Sequence, residues 1–283
     1  MPLRDRVHIH GAGKVGRALA AALKSAGAHV TLRAARKGFS RRPLQCDLLV
    51  LAVRDRDLQA TLSALIESDS LQRACVVVHV AGALYSDALA AIRPHCAGVA
   101  QMHPMISFAS TRVFPQLARG NMHIEGDAAA VARARRVARA LGMTPRSVAG
   151  LDPVAYHAAA GLVANGAAAL AAVGADVLVA AGIDRADAPK LLGPLLRSVA
   201  DNIERLGFPD ALTGPVRRGD AAAVDRAYQL LARRVPHAAP LFAAAVSAQL
   251  PLAKALGEAP AQSWAALAQW AAAHGSGPLR ARR

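Results

Sequence analysis

Three groups of residues in this sequence have types and spacings that can do chemistry. The first is Gly11-x-Gly13-x-x-Gly16, set between an apolar run and an Ala-rich helical run. In such a loop the first glycine makes a tight turn, the second lets the backbone approach a diphosphate, and the third lets the helix pack close to the strand. The helix N-terminus then turns free N–H groups and a partial positive charge towards the anion. Gly11, Ala12, Gly13, Lys14, Val15 and Gly16 are therefore the expected diphosphate contacts of a dinucleotide. The second group is a set of imidazoles and an amide. His103 follows an apolar strand in His103-Pro104-Met105, where an imidazole can pass a proton to a carbonyl oxygen or anchor a carboxylate. His157, Gly161 and Asn165 recur at i, i+4 spacing on one helical run and so share a face. The third is Leu212-Thr213-Gly214-Pro215 followed by Arg217, Arg218, Gly219 and Asp220, a polar turn in which Thr213 and Arg218 can grip a carboxylate. Each group also has a plainer explanation: a backbone-fixed loop histidine, a helix packing surface, and an interhelical turn capped by Asp220.

The residue ending the second strand separates two dinucleotides. An acidic side chain there accepts hydrogen bonds from ribose hydroxyls, whereas a cation suits a 2′-phosphate. This chain places Arg33 there, followed by Arg36 and Lys37, which points to NADP rather than NAD. Ala52-Val53 and Ala81-Gly82 follow two further apolar strands, and their small residues suit close approach to the cofactor.

These groups need a scaffold, and the first half of the chain supplies one. Strands are expected at 7–10, 29–32, 48–52, 75–80, 98–102 and about 122–125, with helices at 15–26, 58–66, 86–91 and 128–141. Continuous apolar strands such as LLVLAV and CVVVHV fit a sheet covered on both faces. Strands alternating with helices imply an α/β fold with a doubly wound parallel sheet of Rossmann type, whose ligands sit beyond the strand C-termini. From Asp152 onward the strand signals stop. Ala, Leu and Val recur at helical spacing, Asp152-Pro153 reads as an N-cap with proline in the first turn, and Asp220 reads as the N-cap of a helix over 221–234. The expected organisation is a nucleotide-binding domain over 1–149 and an all-helical domain over 150–283, with a disordered tail from about residue 275.

The chain has 34 basic and 19 acidic residues, a net charge of +15. Arginine dominates, spread along the whole length, and aromatics make up only 4%, so the pattern lacks the basic, aromatic-interleaved block of a nucleic-acid binder. The three cysteines, Cys46, Cys75 and Cys96, have no paired metal-ligand spacing and fit a reducing cytoplasm. The N-terminus leads straight into a strand, and the apolar stretch over 158–183 is interrupted by Asn165 and Asp176, which suits a buried helix better than a membrane span.

Taken in order, GAGKVGRALA, LLVLAVRDRDL, HVAGAL, HPMISFA, IEGD, YHAAAGLVAN and LTGPVRRGD resemble a family of Rossmann-like oxidoreductases. The C-terminal half of that family is a domain of unknown function, similar to the helical C-terminal domain of 6-phosphogluconate dehydrogenases. The family is related to ketopantoate reductase, pyrroline-5-carboxylate reductase and prephenate dehydrogenase. The resemblance implies NADP use, hydride transfer to a small 2-oxo or imino acid such as ketopantoate, and a homodimer formed through the helical domain. His103 or His157 would donate the proton, with Asn165 as a further catalytic-site residue. One departure is plain: the wider group carries a lysine four residues before the asparagine, and here that position is Gly161. A non-catalytic NADP-binding regulator or scaffold is the alternative that this departure leaves open.

Overall fold

The computed structural model describes residues 3–274; the tail expected to be disordered lies outside them. The chain divides into two compact units between Ala164 and Asn165.

The first unit is a seven-stranded sheet in the order β2-β1-β3-β4-β5-β6-β7. Its strands are β1 Arg6–His10, β2 His29–Arg33, β3 Leu48–Leu51, β4 Val76–His79, β5 Gly98–Pro104, β6 Asn121–Gly126 and β7 Thr144–Arg146. Three helices accompany them: α1 Lys14–Ser25, α2 Leu58–Ser68 and α3 Ala128–Ala140. β1 pairs in parallel with both β2 and β3, so the chain leaves β1 in one direction and returns on its other side. That reversal of strand order opens a crevice at the C-terminal ends of β1 and β3. β3 and β4 lie fully buried as LLVL and VVVH, as a sheet covered on both faces requires. Val7, Ile9, Val76, Val78, Ala100 and Met102 pack on one face, and Leu49, Leu51, Val77 and Val99 on the other.

Two departures from the expected layout have clear causes. β6 runs antiparallel to β5, so the sheet is mixed rather than wholly parallel. The β5–β6 connection over 105–120 contains no helix, and a parallel return needs a crossover. The helix expected over 86–91 is instead a 3-10 helix, Ser86–His95, with Pro94 near its end. A proline ring in a helix interior removes a donor and crowds the preceding turn.

α4, Pro153–Ala180, spans the division between the units. Asp152 caps it as expected, accepting from the N–H groups of Val154 at 2.8 Å and Ala155 at 3.2 Å. The remaining helices belong to the second unit: α5 Ala188–Leu206, α6 Ala221–Arg234, α7 Ala238–Leu256 and α8 Ala261–His274. Val224, Val246, Leu250, Trp264 and Leu267 form its main core. The expectation of a buried helix over 158–183 is not met within one chain: Leu162 is 77% and Val163 71% exposed. By length and composition α4 and α7 are each apolar enough to cross a membrane, although the same test is passed by core helices of soluble proteins.

Burial holds five histidines of the first unit below the ordinary imidazole range: His8, His10, His79, His103 and His123, with His10 pushed down to about 4. The unfolded chain takes up these protons near pH 6.5, before the folded chain does. Stability is therefore full above about pH 6.5 and is lost as pH falls through the folded-state values. Thermal unfolding followed at pH 7.5 and pH 5 should show a fall in Tm of roughly 5 °C or more. An unchanged Tm would contradict neutral burial of these rings.

Candidate functional site

The crevice between β1 and β3 is a cleft of about 440 Å³ lined by Gly11, Ala12, Gly13, Arg17, Ala34, Ala35, Arg36, Ala52, Val53, Arg54, Asp57 and Thr61. Its floor is built by steric exclusion. Gly11 adopts φ +122°, and a Cβ there would collide with the Ala52 carbonyl. A Cβ on Gly16 would collide with the Gly11 carbonyl and stand 3.3 Å from the Ala52 Cβ. The glycine loop therefore presses directly against the end of β3. Gly13 faces open space, leaving its backbone accessible. Gly13 is the N-cap of α1 and makes no side-chain cap, and the first turn holds no acidic residue, so the helix N-terminus keeps its donors for an anion. These features fit a dinucleotide diphosphate. Lys14, Val15 and Gly16 belong to that helix start but do not line the cleft.

The arginines are distributed differently from the expectation. Arg33 donates through Nε to the Gly38 carbonyl at 2.7 Å and through Nη2 to the Lys37 carbonyl at 2.9 Å. Its guanidinium thus holds the turn after β2, while Arg36, three residues on, lines the cleft. Phe39 of the same loop stacks on His10, with ring centroids 4.0 Å apart. Arg17 and Arg54 also line the cleft, and neither stands out in the sequence as a phosphate contact. Arg17 sits four residues after Gly13, one helical turn, and its Nε donates to the Ala12 carbonyl at 2.9 Å. That spacing was the available signal.

A second cluster forms at the C-terminal ends of β4 and β5. β5 extends two residues beyond its expected end because it pairs with β6 as far as Pro104↔Met122, and this register sets His103 opposite His123. Strand alternation puts Gln101, His103, His123 and Glu125 on one face of the β5–β6 pair. Their partners converge on the segment after β4. His79 Nδ1 accepts from the Ala81 N–H at 3.2 Å, so its Nε2 carries the hydrogen given to the Tyr85 carbonyl at 3.0 Å. Gln101 Nε2 donates to the Ala81 carbonyl at 2.9 Å. Glu125 accepts from both the N–H and the hydroxyl of Ser86. His103 Nδ1 lies 3.0 Å from the Val80 carbonyl, which can only accept, so the hydrogen sits on Nδ1 and Nε2 keeps a free lone pair.

Gly82 occupies the centre of this segment. A Cβ there would stand 3.0 Å from His103 Nε2, 2.7 Å from its Cε1, and in collision with His157 Nδ1. The His103 and His157 rings are edge-on, with centroids 5.6 Å apart. Tyr156 closes the cluster, 6.1 Å from the His103 ring and 5.5 Å from that of His123. Burial raises the Tyr156 phenol above its ordinary range. The small residues expected at Ala81-Gly82 to admit the cofactor here leave room, at Gly82, for two imidazoles. His123 and Tyr156 were not singled out, because nothing in their local sequence shows the pairing that brings them together. Among the described residues no group of three or more His, Cys, Asp or Glu side chains is arranged to hold a metal.

The other candidates belong to the second unit. Asn165 is exposed on α4. Thr213 and Arg218 are exposed in the 212–220 turn. Arg217 shapes that turn, reaching the carbonyls of Leu212 at 2.7 Å and Asp210 at 3.1 Å and pairing with Glu258. Asp220 caps α6 by accepting from the Ala223 N–H at 2.9 Å.

Residues 121–249 match the family described as Domain of unknown function (DUF2520). No curated protein matches the chain significantly in sequence. Solved structures share its fold. A protein from Thermotoga maritima has a TM-score of 0.63 at 21% identity, covering 88% of this chain and 98% of its own. Pyrroline carboxylate reductase from Plasmodium falciparum, solved with NADP bound, has a TM-score of 0.59 at 15% identity, covering 98% and 100%. The 1-pyrroline-5-carboxylate reductase of Streptococcus pyogenes has a TM-score of 0.59 at 17% identity, covering 89% and 99%.

The packing of Gly82 against both rings is directly testable. Gly82→Ala should displace the His103 and His157 ring resonances in a histidine-selective NMR spectrum, while those of His29 and His95 stay in place. Unmoved ring signals would show that Gly82 does not set the spacing of the pair.

Proposed function

We propose that this chain is an NADP-dependent oxidoreductase that transfers hydride to a small 2-oxo or imino acid, with ketopantoate a named candidate. The observation that carries the reading is the alignment of two features along the C-terminal edge of one sheet: the arginine-lined glycine cleft and the His103–His157 pair. The fold shared with NADP-bound pyrroline carboxylate reductase supports it. NADPH, when bound, supplies a hydride from its nicotinamide ring. The protein's own part is to hold the dinucleotide and manage the proton. Gly11, Gly13 and the α1 N-terminus suit the diphosphate, and Arg36, aided by Arg17 and Arg54, suits the 2′-phosphate, with Arg33 holding their loop in shape. His103 Nε2 is placed to hold or release a proton because Nδ1 is committed to Val80. Asn165, Thr213 and Arg218 are proposed contacts for the polar groups of the substrate. Three free thiols suit a cytoplasmic protein.

The same reading includes a homodimer through the helical region. α5 exposes Leu191, Leu195, Val199 and Leu206, and α4 exposes Leu162 and Val163. A run of exposed large apolar side chains along one helix is unusual on a monomer, and a second copy of the chain is the occupant proposed for the α5 face.

Thermal unfolding with NADPH, NADH or neither tests the cofactor. A ligand of the folded state at a hundredfold excess over its Kd stabilises by about 2.7 kcal/mol. NADPH should raise Tm more than NADH, and Arg36→Ala should narrow the gap. His103→Ala should lower turnover by about 10²–10⁴-fold and leave NADPH affinity intact. No shift with either dinucleotide would remove the reading, while binding without turnover of any oxo or imino acid would favour a scaffold. Light scattering after size exclusion should give the mass of two chains, and Leu195→Glu should reduce it to one.

A further inference from the structure

We propose that Phe39, by stacking on His10, is the positioning residue that holds Arg36 at the glycine cleft, so that preference for a 2′-phosphorylated dinucleotide depends on a ring outside the cleft lining. This rests on the preceding reading of Arg36 and deepens it.

Arg36 is exposed in the middle of a single 3-10 turn, Ala35–Lys37. The Lys37 N–H closes that turn on the Ala34 carbonyl, and the Gly38 N–H on the Ala35 carbonyl, each at 2.9 Å. A helical turn this short is unstable alone, because it fixes several dihedrals for few hydrogen bonds. The place of Arg36 is therefore set by what grips the turn at its far end.

That grip comes from two cross-strand neighbours. His10 and Arg33 are register partners at the C-terminal ends of β1 and β2. Arg33 holds the carbonyls of Lys37 and Gly38. The chain then reverses at Gly38, whose φ of +56° favours glycine although a Cβ there would meet open space. The reversal lays Phe39 on the His10 ring, with centroids 4.0 Å apart and planes within 18° of parallel. His10 is buried and its basicity is pushed down to about 4 by burial, His8 and Arg33, so the stack joins two uncharged rings. Phe39 also packs against the buried cluster that includes Leu49 and Leu51.

β1 thereby becomes the reference for both anion positions. His10 is its last residue, and Gly11 starts the loop suited to the diphosphate. The His10 carbonyl accepts from the Ala52 N–H, and the Gly11 N–H donates to the Arg33 carbonyl, both at 2.8 Å. The ring beneath Phe39 is thus tied to the glycine loop, and the stack carries that reference to the turn bearing Arg36. The buried His10 Nδ1 has no hydrogen-bond partner, which fits a ring that serves as a flat surface. Without the stack, Arg36 spends part of its time away from the cleft. Affinity for a 2′-phosphate then falls with the fraction correctly placed, while the diphosphate loop is unchanged.

NADPH and NADH differ by the 2′-phosphate alone, so calorimetry of both on the full chain reads the preference as a ratio of Kd values. Phe39→Leu keeps an apolar side chain against the cluster and removes the stack. It should cut the NADPH preference by about fivefold or more and leave NADH affinity within about twofold. His10→Leu should lower the ratio likewise, and the double variant should lose no more than either alone, because all three break one contact. Phe39→Tyr and His10→Phe keep two rings and should retain the preference. Melting curves identify the folded variants, and His10→Leu carries the test if Phe39→Leu does not fold. The proposal is overturned by an unchanged ratio in either folded leucine variant, by equal loss of both affinities, or by additive losses in the double variant. Arg36→Ala is measured alongside. If it keeps the full preference, the reading of Arg36 falls and this one with it. If it abolishes the preference while Phe39→Leu keeps it, the positioning role alone falls.

Discussion

Beyond the Val80 N–H, which still bonds to the Leu51 carbonyl, the segment to Ser86 is held by side chains from the sheet, and the rest of the candidate site depends on that. His79, Gln101 and His103 supply hydrogen bonds to its backbone, and Glu125 receives two from Ser86. All four side chains come from β4, β5 and β6, so the sheet itself pins the loop that follows β4. The contacts to Val80, Ala81 and Ser86 satisfy groups that would otherwise be buried without a partner, at a cost of about 1–3 kcal/mol each. These contacts set three things together: the position of Gly82, the tautomer of His103, and the room left for His157.

The same sheet separates two kinds of electrostatics along one edge. At β1 and β3 the backbone closes tightly around glycines, and Arg17, Arg36 and Arg54 surround the opening. At β4, β5 and β6 the polar residues are imidazoles, an amide and a carboxylate, and burial keeps the imidazoles neutral. A phosphorylated ligand is matched by the three arginines of the first region, which outnumber its one lining carboxylate, Asp57. In the second region burial disfavours charge on the imidazoles. Separation of this sort lets a chain of net charge +15 keep a cluster of buried, uncharged imidazoles.

Much of this was legible before any coordinates. The glycine loop, the first five strands, the helical second half and the two helix caps at Asp152 and Asp220 depend on contacts a few residues apart, and local periodicity reports such contacts well. Arg33 shows where legibility stops. It ends β2, as its place in the sequence implies, but its hydrogen bonds go to the backbone of the turn that follows, and Arg36 faces the cleft. Charge type was visible in the sequence, and side-chain direction was not.

The sequence by itself determined the strand–glycine loop–helix unit and its cationic neighbour, because hydrophobic period and glycine placement act locally. Tertiary structure alone decided the reversal at β6, the facing of His103 and His123 across antiparallel strands, and the meeting of His103 with Tyr156 and His157 some fifty residues later. Those outcomes follow from strand register and from how a distant helix packs. No local pattern encodes them, since a one-residue change in register would turn every one of these side chains to the other face.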